Sequence, residues 1–208
     1  MTNTADATSR DTIPFALYAV TIFVGAFLLF QVQPPIAKFI LPWFGGSPGV
    51  WTTCMLFFQV VLVAGYGYAH LTLERLGGRG QAWVHAGLLV LAAAASLPIV
   101  PGEGWKPVSA ADPTWRICGL LAASVGLPYL LLASTGPLLQ GWLGRVSPGV
   151  SPYRLYALSN LASLGALLSY PVVIEPVVSR RGQAVGWSVG FGRGRSRRAG
   201  MSARDRKR

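Results

Sequence analysis

The sequence predicts an all-α, polytopic helical membrane protein with about five transmembrane helices. Three observations predict it. Of 208 residues, 52% are hydrophobic and only 12% are charged, about half the charged share of an average globular chain. Charged residues are absent from Thr12 to Ala37 and again from Phe39 to Leu73, whereas about 20 apolar residues already cross a bilayer core. No strand-like alternation is visible, and a backbone in hydrocarbon must satisfy its own hydrogen bonds, which for runs this long leaves helices. The net charge of +11 is unevenly placed: residues 1–179 hold eight Lys/Arg against six Asp/Glu, and residues 180–208 hold ten against one. A near-neutral apolar body with a basic end is the wrong distribution for a basic nucleic-acid-binding domain, so nucleic acid is not an expected partner.

The elements follow in order. Residues 1–13 are polar, with one Arg and two Asp. They lack a basic n-region, and no small-residue cleavage site follows the first apolar run, so that run is read as a retained membrane segment. The first helix spans about 14–30. Leu41-Pro-Trp-Phe-Gly-Gly-Ser-Pro-Gly49 reads as an interfacial turn, with Trp43 and Phe44 at headgroup level. The second helix spans about 50–69, and the third about 81–97, ending before Pro98 and Pro101. The fourth spans about 117–140, interrupted by Pro128 and Pro137, and the fifth about 155–178, interrupted by Pro171. Together, residues 14–179 form the transmembrane domain, and 180–208 are expected to be a disordered basic tail.

Orientation follows the Lys/Arg bias. Arg10, Arg75, Arg79, Arg145 and Arg154 fall on the N-terminal side, against Lys38, Lys106 and Arg116 on the other. This places the N-terminus in the cytoplasm, but five spans would then send the basic tail outside, against the same rule. Cys54 and Cys118 lie 64 residues apart in separate apolar runs, without a CxxC pair, and read as small buried apolar residues.

Polar residues within apolar runs are candidate functional groups. Gln31, Gln33 and Lys38 flank Pro34-Pro35; Gln59, Tyr66 and His70 lie on the second helix; Arg154, Asn160 and Glu175 lie on or beside the fifth. Beside a helix broken by proline, such groups could build an intramembrane site. The competing reading is hydrogen bonding between helices, with Lys38 and Arg154 as snorkelling anchors. Small residues repeat on the fifth helix at Ser159/Ser163, Ala162/Ala166 and Gly165/Ser169, which permits close helix packing. No GxSxG, HExxH or P-loop occurs, two histidines are too few for a metal centre, and no carboxylate pair stands out. No catalytic, metal or cofactor site is therefore read.

Several blocks occur in a recognisable order: Phe30-Gln-Val-Gln-Pro-Pro-Ile-Ala-Lys-Phe-Ile-Leu-Pro-Trp-Phe-Gly-Gly-Ser-Pro48, Val50-Trp-Thr-Thr-Cys-Met-Leu-Phe-Phe-Gln59, Gly65-Tyr-Gly-Tyr-Ala-His70, Ser124-Val-Gly-Leu-Pro-Tyr129, Gly136-Pro-Leu-Leu-Gln-Gly-Trp142 and Ser151-Pro-Tyr-Arg-Leu-Tyr-Ala-Leu-Ser-Asn160. They resemble the membrane domain of bacterial fused MFS/spermidine synthase-like proteins, over roughly residues 14–189. The resemblance implies an MFS-like partial bundle in the bacterial inner membrane. In fuller members it is joined to further transmembrane helices and to an aminopropyltransferase-like domain that handles polyamine. The glycine-rich and acidic motifs of that enzyme are not in this chain, so catalysis does not carry over. Three functions remain open: a membrane module without its own catalysis, a transporter of a small polyamine-like molecule, or an anchor whose basic tail binds lipid or nucleic acid. From about residue 190 the chain turns Arg/Gly/Ser-rich where the family continues with an apolar helix. A truncated or frame-shifted end is the expectation there.

Overall fold

The computed structural model describes residues 4–107, 113–146 and 153–205, with side chains described over 15–77, 80–107, 113–145 and 153–194. Among the described residues every regular element is helical. Helix α1 (Thr4–Gln31) is separated from α2 (Gln33–Phe44) by Val32 alone, which keeps helical angles of φ −74° and ψ −26°. Pro34 and Pro35 have no N–H to return to the carbonyls of Phe30 and Gln31. The N–H of Val32 still reaches the Leu28 carbonyl at 3.2 Å, and that of Ile36 reaches the Val32 carbonyl at 3.2 Å. Phe15–Phe44 is therefore one apolar run of 30 residues. This corrects two boundaries. The polar segment 1–13 is already helical from Thr4, and the expected turn over 41–49 contracts to the residues around Gly45 and Gly46. Their φ of 80° and 39° is the left-handed conformation that lets glycine end a helix.

Helix α3 (Pro48–Arg75) begins with proline in its first turn, where no N–H is needed, and outruns the expected 50–69 because nothing after Ala69 breaks it. Helix α4 spans Gly78–Ser96. A single 3₁₀ turn, Glu103–Trp105, punctuates the next connection. There the Arg116 guanidinium donates to the carbonyls of Gly104, Trp105 and Lys106 at 3.0, 3.0 and 2.8 Å.

The fourth apolar run is longer than expected. Helix α5 (Thr114–Leu121) passes through a π-turn, Ala122–Gly126, into α6 (Leu127–Val146). Pro128 cannot donate to the carbonyl of Ser124, and the chain widens by one residue just before it rather than breaking. The same happens after α7 (Tyr153–Ser169): a π-turn over Tyr170–Ile174 carries Pro171 and leads to the short α8 (Glu175–Val177).

Among the described residues, four runs are long and apolar enough to cross a membrane: Phe15–Phe44, Pro48–Arg75, Thr114–Arg145 and Tyr153–Val177. The expected count of five is reduced because the apolar part of α4, Gly80–Ser96, has 17 residues. At about 1.5 Å per residue this is about 25 Å, short of a core of about 30 Å.

Where disorder is expected over 180–208, the described part is helical: α9 runs from Arg180 to Asp205, and residues 206–208 lie outside the described residues. Ala184, Trp187 and Phe191 are buried, at i, i+3 and i+7 on one helical face. The Trp187 indole donates to the Leu28 carbonyl at 2.7 Å, and the Ser188 hydroxyl accepts from the Ile99 N–H at 3.2 Å. These contacts hold the helix against α1 and the end of α4. A short apolar face and an indole with a buried acceptor outweigh the surrounding Arg/Gly composition.

The core has two parts. The larger gathers Ile36, Ile40, Cys54, Phe58, Ile117, Leu121, Tyr129 and Trp187; the smaller gathers Tyr18, Ile22, Ala69, Leu138, Trp142 and Leu155. Helix α1 packs on α6 and α7, α3 packs on α6, and α9 packs on α4 and α1.

Candidate functional site

A cavity of about 320 Å³ opens where α1, α3, α6 and α7 meet, within the size range of small-molecule sites. Its apolar wall comes from Ile22, Ala26, Leu29 and Phe30 of α1 and from Leu132, Ala133 and Pro137 of α6. Its polar groups are Tyr66 of α3, Thr135 and Gln140 of α6, and Tyr156, Ser159, Asn160 and Ser163 of α7. Every lining residue is uncharged.

Backbone packing explains this placement. A Cβ built on Gly65 would stand 2.6 Å from the Ala133 Cβ and 2.8 Å from the Leu130 carbonyl oxygen. Only glycine lets α3 lie this close to α6, which sets Tyr66 at the cavity edge. On the far wall, a Cβ on Gly136 would meet nothing within 4 Å, so the missing side chain is part of the open volume. Pro137 leaves the carbonyl of Ala133 without its usual N–H donor.

The hydroxyls divide into two groups. Those of Thr135 and Ser163 are turned back onto the carbonyls of Leu131 and Ser159, at 2.8 and 2.9 Å. Among the described residues no hydrogen bond is found for the side chains of Tyr66, Gln140, Tyr156 or Asn160. Together these groups can donate to and accept from a neutral ligand. They provide no carboxylate, ammonium or imidazole for acid–base chemistry.

The other sequence candidates are dispersed. Lys38 of α2 pairs with Glu175 of α8, and its ammonium sits 5.5 Å from the centre of the Tyr170 ring. The Tyr170 hydroxyl donates to Gln183 Oε1 at 3.2 Å, and Gln183 Nε2 donates to the Val178 carbonyl at 2.7 Å. Gln33 Nε2 donates to the Tyr129 hydroxyl at 3.0 Å. Gln31 is buried with neither amide atom partnered, and no contact in the structure offsets it. Gln59 and Arg154 are exposed, and His70 is exposed beside Glu74 at 3.4 Å. Of the nine candidates, Tyr66 and Asn160 meet in the cavity and Lys38 and Glu175 meet each other.

A polar chain absent from the candidate set links α3, α4 and α6. Trp142 Nε1 donates to Gln81 Oε1 at 2.9 Å, Gln81 Nε2 donates to the Thr72 hydroxyl at 3.2 Å, and Tyr68 shares a 3.4 Å contact with His85 Nδ1. Gln81 and His85 stand at i and i+4 on one apolar helix, a spacing visible in the sequence. Among the described residues no three His, Cys, Asp or Glu side chains gather as a metal site. Comparison with known proteins returned nothing: no family model, curated protein or solved structure matches the chain.

Proposed function

We propose that the chain is a polytopic membrane bundle that binds a small uncharged solute in the cavity between α1, α3, α6 and α7. The observation that carries this reading is the cavity's composition: seven hydrogen-bonding side chains, of which, among the described residues, only those of Thr135 and Ser163 are hydrogen-bonded within the protein, on an otherwise apolar wall without charge. Membrane placement is supported by two apolar spans that face outward. Only 22% of the most apolar stretch of Pro48–Arg75 and 17% of that of Tyr153–Val177 is buried within the protein. In water such surface would drive association, whereas hydrocarbon solvates it.

The sequence blocks that resemble fused MFS/spermidine synthase-like proteins support one setting for it. In that setting the chain is the membrane module of an inner-membrane assembly, with its N-terminus in the cytoplasm, beside an aminopropyltransferase-like domain or further transmembrane helices. Polyamine as cargo has less support. A polycation entering this cavity would lose hydration and gain no carboxylate, because every lining residue is uncharged, an uncompensated cost of several kcal/mol per charge.

Flux into proteoliposomes tests the reading. A panel of neutral solutes, from polyols and amides to short-chain monoacylglycerols, is compared with spermidine, for the wild type and for Gly136→Leu, which fills the cavity. Saturable uptake of a neutral solute, lost in Gly136→Leu, is expected. Saturable spermidine uptake lost in the same variant would replace this reading with the polyamine one. No saturable binding or flux of any solute would leave a membrane module without a ligand.

A further inference from the structure

The route into the cavity narrows the ligand class further. Helices α1 and α6 pack firmly on each other and form its floor, with α3 against α6 and α7 against α1. Among the described residues α3 and α7 make at most marginal contact, and Tyr66 from α3 faces Tyr156, Ser159, Asn160 and Ser163 from α7 across the cavity. Tyr66 on α3 and Tyr156 and Asn160 on α7 line the cavity and are also exposed on the outside of the bundle. Tyr66 is nine residues from the end of α3 at Arg75, and Asn160 is seven residues from the start of α7 at Tyr153. Those two ends belong to one side of the molecule: Arg145, in the last turn of α6, donates to the Leu73 carbonyl of α3 at 3.2 Å, and only six residues separate the end of α6 at Val146 from the start of α7 at Tyr153. At about 1.5 Å per residue, the opening stands about 10–14 Å in from that side, at hydrocarbon depth for helices that cross a bilayer.

We infer that the cavity is entered sideways from the bilayer and holds the head of an uncharged amphipath, a molecule with a hydroxyl- or amide-bearing head and a hydrocarbon tail. The inference rests on the proposed binding reading. The head replaces the hydrogen bonds that Tyr66, Tyr156 and Asn160 lack, while the tail passes between α3 and α7 into the lipid. An exposed asparagine at this depth is costly against bare hydrocarbon, and a neutral polar head relieves that cost without bringing in a charge. A charged head gains no counter-ion here and is rejected.

The test uses the full chain in nanodiscs containing a monoacylglycerol with a diazirine in its acyl chain near the head. Labelling is mapped by peptide mass spectrometry for the wild type, Gly136→Leu and Asn160→Leu. The expected result is labelling concentrated on α3 and α7 beside the cavity, reduced about tenfold in Gly136→Leu, a loss of about 1.4 kcal/mol of binding. Excess monoolein should compete with it, and the fatty acid anion and aqueous glycerol should not. If glycerol or another water-soluble neutral solute competes fully, the sideways route is wrong and the binding reading survives. If label spreads evenly over the outward faces and Gly136→Leu changes nothing, the inference fails. If no solute from the neutral panel binds either, the binding reading fails with it. Cross-links between two copies through Tyr156 or Asn160 would assign the gap to a protein contact and also overturn the inference.

Discussion

The end of the bundle near Arg145 contains two polar clusters only a helix apart, and they are built to opposite rules. In the chain linking Thr72, Gln81 and Trp142, the indole and both ends of the Gln81 amide are matched inside a packed interior. In the cavity, Tyr66, Gln140, Tyr156 and Asn160 face open volume without partners. Both use the same kinds of side chain. What separates structural glue from a candidate site is whether each donor finds its acceptor within the protein.

Four substitutions would break or sharpen this contrast. Gly65→Leu should have the largest effect. The added side chain meets Ala133 and the Leu130 carbonyl at distances no real Cβ occupies, so α3 must leave α6. A loss of about 3 kcal/mol should appear as a large fall in thermal midpoint in detergent, together with loss of solute binding.

Trp142→Phe comes next. It keeps most of the ring but leaves the buried Gln81 Oε1 without its donor, for about 1–2 kcal/mol. A double-mutant cycle with Gln81→Leu should recover part of that loss if the pair acts as a unit. Lys38→Met should change stability by about 1 kcal/mol or less, as measured by thermal unfolding, because the side chains of Lys38 and Glu175 remain 34% and 41% exposed.

Gly136→Leu should have the smallest effect on stability, from neutral to a gain of about 1 kcal/mol, since helical glycine is replaced where space is free. It should nevertheless remove binding. A large destabilisation by this variant would show that the cavity wall is packed, and the contrast between the two clusters would collapse.

Much of the helical layout was legible along the chain. The apolar runs predict five spans, of which four reach spanning length among the described residues, and the small residues predict close helix packing of the last one, α7, which lies along α1. Proline positions were read as breaks, whereas Pro128 and Pro171 produced π-turns within continuous helices. How a helix absorbs a missing N–H depends on the neighbours that hold it, and these are remote in sequence. The site was legible only in part. Tyr66 and Asn160 stand out in the sequence as polar residues in apolar runs, but the other lining residues Gln140, Tyr156 and Ser163 gain meaning only from being brought together. Gln59 and His70 carried the same signal and ended on the outside of α3.

By itself the sequence determined that the protein is helical and apolar, since long charge-free runs admit little else. It also determined where α2 stops, since Gly45 and Gly46 supply the left-handed φ that ends it. Tertiary structure decided which polar groups are satisfied and which face space. It also decided that the basic C-terminal segment is a helix held by Trp187 on the Leu28 carbonyl, 159 residues away. The physical reason is the same in both cases: helix formation is governed by neighbours within a few residues, whereas a donor's acceptor and a cavity's walls come from chain segments that only packing brings together.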